Sequence, residues 1–227
     1  MSSLPSTPTT AHDPIVISED RVIRYTFRER IIHWLAALSY VYLLLSGLAF
    51  YTPYLYWMAS ILGGGPTARF WHPWFGLVFA VVMFFMDSMW RRDMHTIDAD
   101  RRWMHQIRDY IENHDEQLPP IDRFNAGQKQ FFWGMLGSVI LLLLSGLIMW
   151  FPEYLPAGLH WLRGIAILIH EIAALVTIGL MIIHVYMGLF MVKGGFKAMV
   201  LGYVSTRWAS YHHRLWFERA RKPTQER

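Results

Sequence analysis

The 227-residue sequence contains no cysteine. This absence excludes an iron–sulfur cluster, a haem thiolate ligand and a covalently attached CxxCH haem held by this chain, because each requires a cysteine sulfur. Disulfide bonds are excluded for the same reason. Any metal ligand in this chain must therefore be an imidazole, a carboxylate or a methionine thioether.

Charge is also scarce: 17% of the residues are charged and 54% are hydrophobic, with 11 Trp, 11 Tyr and 14 Phe. This composition is too apolar and too aromatic for an ordinary soluble domain. Four apolar runs are long enough to cross a bilayer. They predict an all-α integral membrane protein, a bundle of four transmembrane helices. The predicted spans cover about residues 31–51, 74–90, 131–151 and 165–192.

Lysine and arginine are distributed very unevenly along the chain. Nineteen of the 21 lie before the first span, in the loop 91–129 or after the fourth span, and the other two loops contain only Arg69 and Arg163. The positive-inside rule therefore predicts that both termini and the loop 91–129 are cytoplasmic. This topology accounts for the net charge of +4, so no nucleic-acid partner is expected. We predict a polar N-terminal arm (1–24), a membrane domain (25–217) and a charged tail (218–227).

Most of the 11 histidines lie in polar segments or loops, where a solvated surface position is the ordinary interpretation. This group is His12, His95, His105, His114, His212 and His213. His160 lies in an outer loop beside Trp161, where a position at the membrane interface is expected. The remaining four lie at or in the predicted spans, where ionisable residues are costly and usually functional. They are His33, His72, His170 and His184.

These four histidines form two pairs when they are sorted by predicted depth. His170 and His184 are fourteen residues apart in one span, which on a helix is about 21 Å along the axis and within about 40° in direction. His184 then matches the depth of His33 on the cytoplasmic side, and His170 matches His72 on the outer side. Two imidazoles from different helices suit the axial positions of a haem iron.

Other interpretations of these histidines remain open. A single intramembrane histidine can make a hydrogen bond between helices or relay protons. A zinc ion is less suitable, because it requires four ligands and neither depth offers a cysteine or a further carboxylate.

A neutral polar turn precedes the third span on the predicted cytoplasmic side. It contains Asn125, Gly127 and Gln128. Asn125 is a good helix N-cap, and capping alone is sufficient to explain it. The two amides and the glycine could also bind a quinone carbonyl, but the pattern alone favours capping.

Several segments, in this order and spacing, resemble the cytochrome b556 (gamma) subunits of membrane-bound respiratory formate dehydrogenases. The likeness extends over about residues 20–217. The segments are RIIHW (30–34), HPWFG (72–76), NAGQK (125–129), the LIH and IHVYM portions of the fourth span (168–170 and 183–187) and the tail VKGGFKAM with STRWA (192–199 and 205–209).

The resemblance implies two b haems and a quinone, either menaquinone or ubiquinone. The inner haem would be ligated by His33 and His184, and the outer haem by His72 and His170. The quinone site would include the Asn125 turn with Gly127 and Gln128. No residue of this chain is implied to be catalytic in formate oxidation.

The implied protein is the membrane anchor and electron-transfer subunit of a complex in the bacterial inner membrane. An alpha subunit with a molybdenum- or tungsten-pterin would oxidise formate, and an iron–sulfur beta subunit would pass electrons through the two haems to quinone on the cytoplasmic side. This transfer would contribute to a proton-motive force. Open alternatives are a di-haem subunit of a nickel–iron hydrogenase or thiosulfate reductase, and a haem-free transporter or assembly protein. A higher oligomer of the complex is also left open.

Overall fold

The structure is a computed structural model that describes residues 15–112 and 118–219; His12, His114 and the outer parts of the predicted arm and tail lie outside this range. The described chain is mostly helical. Its helices, in chain order, are α1 (Phe27–Tyr51), α2 (Trp57–Ile61), α3 (Gly65–Trp90), α4 (Asp98–His105), α5 (Ile107–Ile111), α6 (Ala126–Trp150), α7 (Leu162–Tyr186), α8 (Gly195–Leu201), α9 (Thr206–His212) and α10 (Arg214–Arg219).

Four of these helices are long and apolar enough to cross a membrane, which confirms the predicted fold class. They are α1, α3, α6 and α7, and a π-helical turn, Met187–Met191, continues α7. Many of their large apolar side chains are exposed, including Leu38 and Ile182 at 67% and 65%. Large exposed apolar surface of this kind is stable only where lipid replaces water.

Helix α3 begins at Gly65, nine residues before the predicted start at residue 74. The preceding glycines Gly63 and Gly64 turn the chain with φ angles of 86° and 96°, and Pro66 then occupies the first helical turn, where its missing N–H is harmless. Polar residues and Pro73 interrupt the apolar run but not the helix. His72 therefore lies inside α3 rather than at its start.

The described chain divides into two compact units. The unit that we call the bundle unit contains Ile31–Met89 and Trp133–Met187, and the other, the polar unit, contains the described residues up to Arg30, Trp90–Phe132 and those from Gly188 onward.

Side-chain contacts hold the long helices of the bundle unit together. The hydroxyl of Tyr40 in α1 lies 3.2 Å from Oγ1 of Thr177 in α7. Aromatic pairs join α1 to α3 and α3 to α6: Tyr42–Phe75, with ring centroids 4.0 Å apart, and Trp74–Trp150, with centroids 5.1 Å apart.

The polar unit contains a small antiparallel sheet that the sequence analysis did not predict. Its strands β1 (Ile15–Ser18), β2 (Arg21–Ile23) and β3 (Tyr203–Ser205) are ordered β1-β2-β3. Val22 pairs with Val204, and both side chains are buried. The described part of the N-terminal arm is thus anchored to the segment that follows the fourth span.

Candidate functional site

The bundle unit brings the four intramembrane histidines together as two pairs. The ring centroids of His33 in α1 and His184 in α7 are 6.1 Å apart. Those of His72 in α3 and His170 in α7 are 6.4 Å apart. Each ring is half-buried. Helix α7 therefore supplies one imidazole to each pair.

The centroid separations fit two imidazoles on opposite sides of one metal ion. An imidazole nitrogen lies about 2 Å from a bound metal and about 1 Å from its own ring centre, so two opposed ligand rings have centroids about 6 Å apart. Two side chains are too few for a tetrahedral zinc site. Within residues 15–112 and 118–219 no group of three or more His, Asp or Glu side chains could hold a metal ion. Two axial imidazoles are, however, a complete protein ligand set for a haem.

Ser46 in α1 lies against Nδ1 of the His72 imidazole. Its Oγ lies 2.7 Å from Nδ1 of His72 and 2.8 Å from the carbonyl oxygen of Tyr42, and we assign the single hydroxyl proton to that carbonyl. The hydroxyl oxygen can then only accept a proton from Nδ1. His72 is thereby held as the Nδ1–H tautomer, with a lone pair on Nε2 for a metal.

Ser145 in α6 makes the equivalent arrangement with His170. Its Oγ lies 2.9 Å from Nδ1 of His170 and 2.6 Å from the carbonyl oxygen of Leu141, to which we assign the hydroxyl proton in the same way. His170 is therefore also an Nδ1–H tautomer with Nε2 left for a metal.

A glycine follows each of these serines and lies against the same imidazole. A Cβ added at Gly47 would lie 3.8 Å from Cε1 of His72, and one at Gly146 would lie 3.4 Å from Cε1 of His170. Both distances are ordinary van der Waals contacts, so each glycine lies directly beside the imidazole. These serines and glycines were not among the predicted site residues, although the segment LLLSGL occurs at 43–48 and again at 142–147.

The environment of His33 differs from that of His72 and His170. Its Nδ1 is buried and makes no hydrogen bond to any residue that the structure describes. Its ring packs edge-on against Trp34, with centroids 5.5 Å apart. The serine contact made by Nδ1 of His72 and of His170 therefore has no counterpart at Nδ1 of His33 among the described residues.

The turn proposed for quinone lies in the polar unit and forms a reciprocal capping box at the start of α6. Oδ1 of Asn125 accepts from the backbone N–H of Gln128 at 2.8 Å, and Oε1 of Gln128 accepts from that of Asn125 at 3.0 Å. Capping therefore uses both amide oxygens and leaves both NH₂ groups as donors. A Cβ at Gly127 would lie 3.5 Å from the ring of Trp103.

One histidine that we predicted to be on the surface is buried. His213 is 4% exposed; its Nδ1 lies 2.7 Å from the carbonyl of Asp122, and its Nε2 lies 3.3 Å from a guanidinium nitrogen of Arg24. Burial, and next the charge of Arg24, hold its pKa well below the usual value. Of the other predicted surface histidines that the structure describes, His95 and His105 are exposed and His212 is partly exposed. The outer-loop His160 is also exposed.

Comparisons with known proteins agree with this architecture. Residues 24–202 match the family model described as prokaryotic cytochrome b561. The chain is 37% identical over 211 residues to the formate dehydrogenase cytochrome b556(fdo) subunit of Escherichia coli K12, covering 92% of this chain and 97% of that one. It is 32% identical over 204 residues to the nitrate-inducible formate dehydrogenase cytochrome b556(Fdn) subunit of the same strain, covering 88% and 92%. Over 207 residues it is 31% identical to the formate dehydrogenase cytochrome b556 subunit of Haemophilus influenzae, covering 89% and 85%.

Proposed function

The chain belongs to the prokaryotic cytochrome b561 family, and we propose that it is the di-haem cytochrome b subunit of a quinone-reducing formate dehydrogenase complex. The proposal rests on two imidazole pairs, each of which includes one histidine of α7. The ring centroids are 6.1 Å apart in one pair and 6.4 Å apart in the other. The relatives, which are named as formate dehydrogenase cytochrome b556 subunits and match nearly the whole chain, support the choice of complex.

We assign His33 and His184 to one haem and His72 and His170 to the other. When bound, the two haems supply one-electron carriers between an iron–sulfur partner subunit and a quinone. The role of this chain would be to hold them: two imidazoles would ligate each haem iron and leave no open site on it for oxygen chemistry. Ser46 and Ser145 orient one of the two ligand pairs.

The quinone acceptor, menaquinone or ubiquinone, is assigned to the turn that contains Asn125, Gly127 and Gln128. The two NH₂ groups left over by the capping box are suitable donors to a quinone carbonyl. The distribution of Lys and Arg supports a cytoplasmic location for this turn and for both termini. A formate-oxidising alpha subunit and an iron–sulfur beta subunit in a bacterial inner membrane complete the proposed complex.

The haem assignment is tested by purifying the complex from its native membrane and measuring haem per chain and the reduced-minus-oxidised spectrum. We expect two b haems that formate reduces, and one haem in His170→Ala. His160→Ala, which changes an exposed loop histidine, should retain both. A complex without a b-type spectrum, or a His170→Ala variant that keeps both haems, would contradict the proposal. Reduction by hydrogen instead of formate would favour a hydrogenase partner.

The quinone assignment is tested with Asn125→Asp. Aspartate retains a capping oxygen for α6 but lacks the NH₂ donor. We expect α6 and both haems to be preserved and the KM for quinone to rise, with formate reduction of the haems unaffected. An unchanged quinone KM would show that Asn125 only caps the helix.

A further inference from the structure

We propose that Ser46 and Ser145 are positioning residues that lower the reduction potential of the haem held by His72 and His170. The inference rests on the proposed function, since it requires a haem at this pair. It gives a role to two hydroxyl groups that do not themselves ligate the haem iron.

The direction of the effect follows from the hydrogen bonding of the two serines. Each hydroxyl donates its proton to the carbonyl one turn earlier in its own helix, at 2.8 Å for Ser46 and 2.6 Å for Ser145. Each oxygen therefore accepts the Nδ1–H of its histidine, at 2.7 and 2.9 Å. An imidazole whose Nδ1–H is engaged by an acceptor is more basic and donates more strongly to the metal. Stronger donation stabilises ferric over ferrous iron and lowers the potential.

The second pair lacks this arrangement at His33, whose Nδ1 has no hydrogen-bond partner among the described residues. By lowering the potential of the haem at His72 and His170, the two serine hydroxyls favour electron transfer away from that haem.

The same helices contain matched control serines one heptad earlier. Ser39 and Ser138 are buried like Ser46 and Ser145, and each donates to the carbonyl four residues before it, at 2.7 and 2.8 Å. Neither makes a hydrogen bond to a histidine within the described residues. Ser39→Ala and Ser138→Ala therefore reproduce the loss of a buried helix hydroxyl without removing an acceptor from a ligand.

The experiment is a potentiometric titration of both haems in the purified complex, with Ser46→Ala, Ser145→Ala, the double variant and the two controls. His170→Ala identifies which potential belongs to which pair. We expect each serine variant to shift the reduction equilibrium of one haem several-fold toward the ferrous state, up to about tenfold, which is about 59 mV for one electron. The other haem should be unchanged, and the double variant should show the larger shift.

Several results would overturn the inference. Two bound haems with unchanged or lowered potentials in the serine variants would do so, as would equal shifts in the Ser39 and Ser138 controls. If an alanine variant loses its haem, the test uses Ser46→Cys and Ser145→Cys instead, because a thiol is a weaker hydrogen-bond acceptor of similar size. These variants should raise the reduction potential of the haem, and an unchanged potential would refute the role of the serines. A wild-type complex without haem at this pair would instead refute the proposed function.

Discussion

Replacing Arg123 with methionine should destabilise the polar unit substantially, because this arginine joins two buried carboxylates. One guanidinium nitrogen lies 2.7 Å from Oε1 of Glu29 and the other lies 2.8 Å from Oδ2 of Asp93. The three side chains are only 6%, 8% and 10% exposed. Burial alone would lower the pKa of Arg123. The two carboxylates raise this pKa by more than burial lowers it, so the net shift is upward. The arginine is therefore charged at every accessible pH.

The magnitude follows from what the substitution leaves behind. Removing one partner of a buried ion pair costs about 3–5 kcal/mol, because the other charge stays buried without compensation. Glu29 keeps hydrogen bonds from the backbone of Thr26 at 2.8 Å and from the indole of Trp90 at 2.6 Å, so we expect the lower end, about 3 kcal/mol. For a chain of this size that is a fall in melting temperature of about 6–12 °C.

The assay is thermal unfolding of the purified complex in detergent, followed by far-ultraviolet circular dichroism, with haem content measured separately. Arg108→Met is the matched control: Arg108 pairs with Glu112 at 2.8 Å, but its side chain is 87% exposed, and exposed pairs contribute little. Arg123→Met combined with Glu29→Gln should recover part of the loss by removing a stranded charge. Equal melting temperatures for Arg123→Met and Arg108→Met would refute the reasoning.

Two further predictions concern the same unit. The pKa of buried His213 lies well below 6.5 in the folded chain. Between that pKa and about pH 6.5, the unfolded chain therefore binds a proton that the folded chain does not. The melting temperature should consequently fall as the pH drops through this window. His213→Gln should lose this part of the slope, and an unchanged slope in melts between pH 7 and 5 would argue against it. Gly202→Ala should cost about 1–3 kcal/mol, because Gly202 has a φ of 89° and an added Cβ would lie 3.0 Å from the carbonyl of Tyr25. Gly158→Ala, where a Cβ would meet no heavy atom within 4 Å, is the control, and equal melting of the two variants would contradict the expectation.

The four membrane helices were predictable because a span is encoded by the composition of one contiguous segment. The start of α3 was not, since Thr67, Arg69 and Pro73 lower the apolar character of its first turns without breaking its backbone. The sheet was missed for a different reason. Strands of three or four residues carry almost no periodic signal, and β2 pairs with β3, about 180 residues away in the sequence.

The positions of the four histidines could also be derived from depth, because depth depends only on the distance of a residue from the ends of its helix. Their hydrogen-bond partners depend on the rotation of one helix against another, which depth does not define. His213 shows the same limit in the polar unit. Its local sequence is polar, and it is buried only because Asp122 and Arg24 come to it from distant segments.

Rotation of the helices also determines how many of them serve the pair of His72 and His170. The two imidazoles come from α3 and α7, but the serine hydroxyls that contact them come from α1 and α6. All four helices therefore meet at this one site, whereas the sequence analysis assigned it two. A substitution that turns α1 or α6 by a fraction of a residue moves Ser46 or Ser145 away from its imidazole and leaves both imidazoles in place. Changes in these helices should consequently alter the properties of the proposed haem site before they abolish haem binding.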